Sequence, residues 1–244
     1  MNKRLDLVSF DIPYPPNYGG IIDVFYKLKE LHKLGVKIYL HVYLFDNKTK
    51  KVELEKYCEQ VFYYKRKNIF SSLFSSLPFR LKSRVNKQLN NNLKNLETPI
   101  LFEGLHTIYP LYKLNLKNCF VRTHNIEHSY FFGLAKSEKN IFKKLFFQFE
   151  GWKLKKIENH LKKAKGIFTI SPFEQKYFSE LYHNSHYIPA FHESIELVKS
   201  SEKGSFILYH GDLRVSDNIK AALFLIDIYN ILCRWAKKRL QLFD

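Results

Sequence analysis

Two stretches of this sequence combine residue types and spacing that could do chemistry. The first, Ser9 to Phe25, reads SFDIPYPPNYGGIIDVF and sets Gly19-Gly20 behind a loop braced by three prolines, at the mouth of an amphipathic run. The first amides of a helix lack internal partners and carry the positive end of its dipole, so a phosphate can bind there. Glycines without a Cβ let that phosphate approach the backbone. The same pair would equally relax a tight turn, and the spacing matches neither G-x-G-x-x-G nor the P-loop pattern with its lysine. The second stretch, VRTHNIEHSYF (Val121 to Phe131), holds His124, Glu127 and His128. H-x-x-E-H is an inverzincin spacing, two histidines on one helical face for zinc with glutamate as general base. His124 also follows a short apolar strand, and open parallel sheets gather ligands at the carboxyl ends of their strands.

The elements that must position these residues read as alternating strands and helices. LDLVSF (Leu5 to Phe10) is a buried strand; Ile21, Phe25, Leu28 and Leu31 recur at helical spacing up to Gly35, a C-terminal cap; KIYLHVY (Lys37 to Tyr43) is a second strand, expected parallel to the first. Further strands are expected at Gln60 to Arg66, Thr98 to Gly104, Cys119 to Arg122 and Gly166 to Ser171, with HYIPAFHE (His186 to Glu193) as the final strand and the exit of the domain. A long amphipathic helical region spans about Asn140 to Lys165, and Ser171 caps a helix with Pro172 in its first turn and Glu174 completing a capping box. After the polar stretch ESIELVKSSEKGS, FILYHGDL and SDNIKAALFLIDIYNIL read as a fresh strand, turn and helix.

Composition sets the class. Hydrophobic residues at 45% and aromatics at 16% support a substantial core. Cys58, Cys119 and Cys233 are far apart, odd in number and in no metal-ligand spacing, which predicts a reducing, cytoplasmic setting and no zinc site built from cysteine. No apolar run reaches the ~20 residues that a span needs. The net charge of +17 concentrates in two places. Val61 to Leu96 holds eight basic residues and no acid, and Lys139 to Lys165 holds nine lysines against Glu150 and Glu158. An anionic membrane surface or an anionic substrate would suit such a field, as would a plain solvated surface. No nucleic-acid motif accompanies it, so nucleic acid is not an expected partner. Phe70, Leu73, Phe74, Leu77 and Phe79 lie among the basic residues of the first segment, a pairing suited to the interface of an anionic membrane.

Four landmarks in order, PYPPNYGG, VRTHNIEHSYF, IFTISPFEQKYF and LYHGDLRVSDNIKAALFLI, resemble family 4 glycosyltransferases of the GT-B fold. The subgroup they resemble is that of Bacteroidetes-type envelope and capsule gene clusters. The resemblance implies an α/β fold: a Rossmann-like parallel sheet flanked by helices over residues 1–192, a linker over 193–205, and at 206–244 the first strand-helix unit of a second Rossmann-like domain. It implies a retaining, hexosyltransferase-type enzyme that moves a sugar from a nucleotide-sugar, a substrate and not a cofactor, to a cell-envelope glycan or lipid-linked acceptor, with no metal or other cofactor. Gly19 and Gly20 would then offer amides to the donor diphosphate, which helps the leaving phosphate carry charge. His124 would hold the transferred sugar or position the acceptor hydroxyl; Asn125 and Glu127 would fix its loop, and Glu103 with His106 would line the acceptor side. On the donor side only Gly211, Arg214 and Lys220 match, and the family's glutamate pair falls beyond Asp244. The chain is therefore expected to be the N-terminal portion of such an enzyme, inactive alone and cytoplasmic, with a peripheral position at the inner face of the plasma membrane left open. Two alternatives remain: a non-catalytic basic module that binds membrane or glycan, and a zinc metalloprotease built on HNIEH.

Overall fold

The computed structural model describes residues 3–45, 49–68, 72, 75–193, 208–211, 213 and 216–240. The chain divides into two units, Met1–Ser194 and Ile195–Asp244. The first is built on seven strands: β1 (Arg4–Val8), β2 (Lys37–Leu44), β3 (Gln60–Lys65), β4 (Ile100–Glu103), β5 (Cys119–Thr123), β6 (Gly166–Thr169) and β7 (Ser185–Tyr187). They form one sheet in the order β3-β2-β1-β4-β5-β6-β7, with every neighbouring pair parallel. This is the α/β, Rossmann-like arrangement expected from the alternation of strand and helix patterns. The order reverses between β1 and β4, and the crevice outside the carboxyl ends of strands at such a reversal is where open sheets bind ligands.

Both faces of the sheet are buried, as parallel sheets require. Alternate residues feed two cores. Leu7, Ile38, Leu40, Val42 and Leu101 pack with Val24, Phe25 and Leu28 of α1 (Gly19–Lys33) on one side. On the other, Val8, Tyr43, Tyr64, Phe102 and Val121 meet Leu81 of α2 (Phe79–Ser83), Leu89 and Leu93 of α3 (Lys87–Leu93) and Leu111 of α4 (Tyr109–Lys113). The same core takes Phe131 of α5 (Glu127–Ser137), Leu154 and Ile157 of α6 (Ile141–Glu158) and Phe178 of α7 (Pro172–Tyr182).

The punctuation signals are realised. Gly35 adopts φ +71°, and the Val36 amide reaches back to the Leu31 carbonyl at 3.0 Å, the bond that closes a Schellman cap. Ser171 Oγ accepts the Glu174 amide at 3.2 Å and starts α7. The region expected to be helical from Asn140 to Lys165 is α6 followed by a tight 3₁₀ segment, Asn159–Lys163. α5 is a helix that the histidine-rich motif did not announce.

Cys58 and Cys119 are buried within this unit, and burial pushes both thiols up to about 12. In the second unit, Ser216–Leu240 is a single helix, α8, which carries the half-buried Cys233. Leu208–Gly211 is irregular and not the expected strand. A strand needs a neighbour to satisfy its backbone, and none stands beside it among the described residues of that unit. Among the described residues no helix is long and apolar enough to cross a membrane.

Gly104, between β4 and the turn at Leu105–Thr107, has φ +73° and ψ 157°, a region essentially closed to other residues. Gly133 lies within α5 with nothing within 4 Å of the position a Cβ would take. Gly104→Ala is therefore expected to lower the unfolding free energy by about 1–3 kcal/mol. Gly133→Ala is expected to raise it by up to about 1 kcal/mol. Urea denaturation of the two variants checks both signs.

Candidate active site

A cavity of about 740 Å³ opens at the strand-order reversal. Its lining includes Phe10 just after β1, Gly19, Gly20 and Asp23 of α1, Gly104 after β4, and His124 and Asn125 after β5. Five of the residues singled out in the sequence, Gly19, Gly20, His106, His124 and Asn125, are thus brought together, and Glu127 joins them at the start of α5. Gly211 and Lys220 belong to the second unit. Arg214 lies outside the described residues.

The two glycines differ. Neither has positive φ, so a turn that only glycine can make does not explain them. A Cβ at Gly20 would lie 2.8 Å from Phe10 Cζ, and Phe10 packs edge-on against His124 with ring centres 5.5 Å apart. Around Gly19 nothing lies within 4 Å of that position. The amides of Ile21 and Ile22 both turn back to the Tyr18 carbonyl, and Tyr18 provides no side-chain cap. The Gly19 and Gly20 amides are therefore the ones that α1 leaves without an internal acceptor, beside open cavity.

Beneath the cavity lies an ion cluster that the sequence pattern did not reveal. Lys27 Nζ donates to Glu103 Oε1 at 2.7 Å and to Asp23 Oδ2 at 3.0 Å. Arg122 grips Asp23 with both arms, Nη2 to Oδ1 at 2.8 Å and Nε to Oδ2 at 3.1 Å. The Phe191 amide adds a further bond to Asp23 at 2.8 Å. Arg122 also donates to the carbonyls of Ile188 and Pro189, at 2.7 and 3.0 Å. Burial pushes Asp23 upward, but Lys27, Arg122 and the Phe191 amide outweigh it and hold this carboxyl well below its usual range. Glu103 shows the same balance, burial against Lys27 and His124, and is also lowered.

Glu103 is fully buried and does not line the cavity, contrary to the role expected of it. It holds His124 instead, whose Nε2 lies 3.2 Å from Glu103 Oε2. A carboxylate only accepts, so Nε2 carries the proton of this bond and Nδ1 is the ring nitrogen not engaged by Glu103. His106 is arranged alike: Nε2 donates to Glu127 Oε2 at 3.2 Å, while Nδ1 is buried without a partner. Burial outweighs Glu127 and lowers the His106 imidazole, while His106 and Arg80 overcome burial to keep Glu127 ionised.

The H-x-x-E-H residues do not converge. His124 engages Glu103, Glu127 engages His106, and His128 Nδ1 pairs with buried Glu158 at 3.0 Å, where Tyr177 also donates at 2.7 Å. The geometry departs from the metalloprotease reading because the motif straddles a loop and the first turn of α5. Asp23, Glu103 and His124 do bring one ligand atom each to within 4.8 Å of one another. Lys27 and Arg122 already neutralise those carboxylates, and each would repel a divalent ion about 4 Å away by roughly 8 kcal/mol at an effective dielectric of about 20.

No family model matches the chain. An uncharacterized 44.6 kDa protein in the cps region of Klebsiella pneumoniae is 27% identical over 233 residues, 92% of this chain and 60% of its own length. Among solved structures, sucrose-phosphate synthase from Thermosynechococcus elongatus aligns with 77% of this chain and 48% of its own, at 14% identity and a TM-score of 0.49. The apo form of UGT2 from Phytolacca americana aligns with 79% of this chain and 52% of its own, at 11% identity and a TM-score of 0.47. The chain spans 60% of the Klebsiella protein and about half of each solved chain.

Because Asp23 and Glu103 are held low, their stabilisation is fully present above the unfolded-state values of about 3.9–4.3 and is lost as pH falls below them. Asp23→Asn leaves Arg122 and Lys27 undercompensated, so it is expected to cost about 3–5 kcal/mol at pH 7. Its stability should also fall less steeply between pH 5 and 3 than that of the wild type. Urea midpoints at pH 7, 5 and 3 report both effects. An unchanged midpoint at pH 7 would show that the cluster contributes no net stability.

Proposed function

We propose that residues 1–192 form the acceptor-side half of a retaining glycosyltransferase of the family 4, GT-B type. It would transfer a sugar from a nucleotide-sugar to a cell-envelope glycan or lipid-linked acceptor. The observation that carries this reading is the uncapped α1 N-terminus. Its two glycine amides have no internal acceptor and face open cavity, in the same cavity as His124. A diphosphate leaving group needs donors of this kind, fixed in place before charge develops, and one such donor is worth about 3–4 kcal/mol in a transition state. His124, locked by Glu103 and Phe10, presents the Nδ1 edge of its imidazole for a hydrogen bond with a sugar hydroxyl. Asn125 lies beside it, and the Glu127–His106 pair fixes the start of α5. The second unit, with Gly211, Arg214 and Lys220, is assigned to the donor side. The relative from a cps region supports polysaccharide synthesis as the setting.

The test is made in the native gene of the host. His124→Ala is expected to lower incorporation of the transferred sugar into envelope polysaccharide more than tenfold at unchanged protein level, a loss of about 1.4 kcal/mol or more. A change within threefold would make His124 structural.

We also infer a peripheral contact with an anionic membrane, supported by the second of the two basic segments, Lys139 to Lys165, and not by the first. Phe70, Leu73 and Phe74 lie outside the described residues, while Leu77 packs on the core and Phe79 lines the cavity. α6 instead exposes Ile141, Phe142, Leu145, Phe149 and Trp152. At 100° per residue these five fall within an arc of roughly 100°, flanked by Lys144, Lys153 and Lys155, with Lys156 inside it. Replacing Phe142, Phe149 and Trp152 with serine is expected to abolish salt-sensitive co-sedimentation with anionic vesicles. Unaltered sedimentation would remove α6 from the contact.

A further inference from the structure

The wall of the cavity away from the ion cluster is lined by three arginines: Arg66, one residue past β3, Arg80 in α2, and Arg84 just after it. Their partners set them apart. Arg4 and Arg122 are each paired with a buried aspartate. Arg66 donates Nη2 to the Ser83 hydroxyl at 2.8 Å, and Arg84 donates Nε to the Phe10 carbonyl at 2.9 Å and Nη1 to the Arg80 carbonyl at 2.8 Å. All these acceptors are neutral. Arg80 Nη1 lies 3.4 Å from His106 Nε2, but that nitrogen already gives its proton to Glu127, so two donors face each other. Among the described residues no carboxylate lies within 4.0 Å of any of the three guanidiniums. Arg66 Nε is buried with no partner.

The surrounding acids act on the arginines as charges at a distance and accept their hydrogen bonds from other groups. Asp11 accepts the Ile12 amide at 2.8 Å and the Tyr18 hydroxyl at 3.1 Å, and Glu127 is held by His106. Each arginine lies near a ring: Arg66 4.0 Å from the centre of Phe45, Arg80 5.6 Å from Phe131 and Arg84 5.8 Å from Tyr43. Burial, then the proximity of Arg66, lowers the Arg84 guanidinium to about 9, and burial lowers Arg66 as well. Three guanidiniums line one cavity without a carboxylate in direct contact among the described residues, and an anion is the group that the arginine fork matches in both geometry and charge.

We propose that Arg66, Arg80 and Arg84 form a binding site for an anionic group, phosphate or carboxylate, carried by a molecule that enters this cavity. The site itself follows from the side chains. Assigning the anion to the acceptor rests on the glycosyltransferase reading, and would mean an acceptor bearing a diphosphate or a uronic acid.

Titration calorimetry of the 244-residue chain with inorganic pyrophosphate at low salt tests the site without any sugar transfer. Arg66→Gln and Arg80→Gln should each weaken binding at least tenfold, and both can be made without disturbing the two main-chain bonds of Arg84. The double variant Lys65→Gln, Lys67→Gln removes the same kind of charge from exposed positions next to Arg66 and should change affinity less than twofold. Arginine variants that bind like wild type, or lysine variants that lose as much as they do, would overturn the proposal in favour of general charge attraction. Two further ligands then locate the anion's source. If a nucleoside diphosphate depends on Arg66 and Arg80, the site serves the donor. If geranyl diphosphate or glucuronate depends on them and the nucleotide does not, it serves the acceptor. Either dependence supports the anion site, and failure of sugar transfer in the host would leave it standing.

Discussion

Asp23 can stay ionised inside this protein because Lys27 and Arg122 surround it, and much of the architecture hangs on that pairing. A carboxylate removed from water costs several kcal/mol unless cations and donors replace its hydration. Here the replacements come from three places: Lys27 one turn along α1, Arg122 in β5, and the Phe191 amide in the segment after β7. One side chain thereby ties helix, sheet and exit segment together. Through Lys27 and Glu103 the same charge balance reaches His124. A buried cluster of this kind is weak evidence for stability gained over an apolar core. Its evident product is orientation, because His124 cannot rotate without taking the donor away from Glu103 Oε2.

The cavity built on this base has two electrostatic halves. On the α1 and β5 side, positive and negative groups are matched one against another, and the groups left open to a ligand are backbone amides and an imidazole. On the β3 and α2 side, three arginines line the wall with no carboxylate in direct contact among the described residues. A ligand with a neutral sugar at one end and an acidic group at the other would meet complementary surroundings at both.

Much of the scaffold was legible in the chain. The β1-α1-β2 unit, the Gly35 cap, the Ser171 cap and all the expected strands of the first unit follow from apolar periodicity and local capping chemistry, which act over a few residues. The site was legible only in part. Gly19, Gly20 and His124 could be picked out because a loop between strand and helix has a local signature. Asp23, Lys27 and Arg122 were missed, although Asp23 and Lys27 interrupt the apolar face of α1 at i,i+4 spacing, a signal that charge is being buried there. Glu103 could be seen as functional, but its depth depends on the strand order. The basic segment from Val61 to Leu96 was visible as charge, while the turning inward of Arg66 and Arg84 is decided by packing of α2 against the sheet. The strand expected near Leu208 failed because local propensity does not supply a neighbour.

The burial of Cys58 and Cys119 has a practical side. With thiols displaced to about 12, only on the order of one in 10⁵ of each is thiolate at pH 7. Cys233, half-buried on a helix of the other unit, is shielded less. A maleimide dye added to the folded native protein should therefore attach there first, leaving the cavity-bearing unit chemically unaltered. Fluorescence studies of ligand entry can then proceed without engineered cysteines.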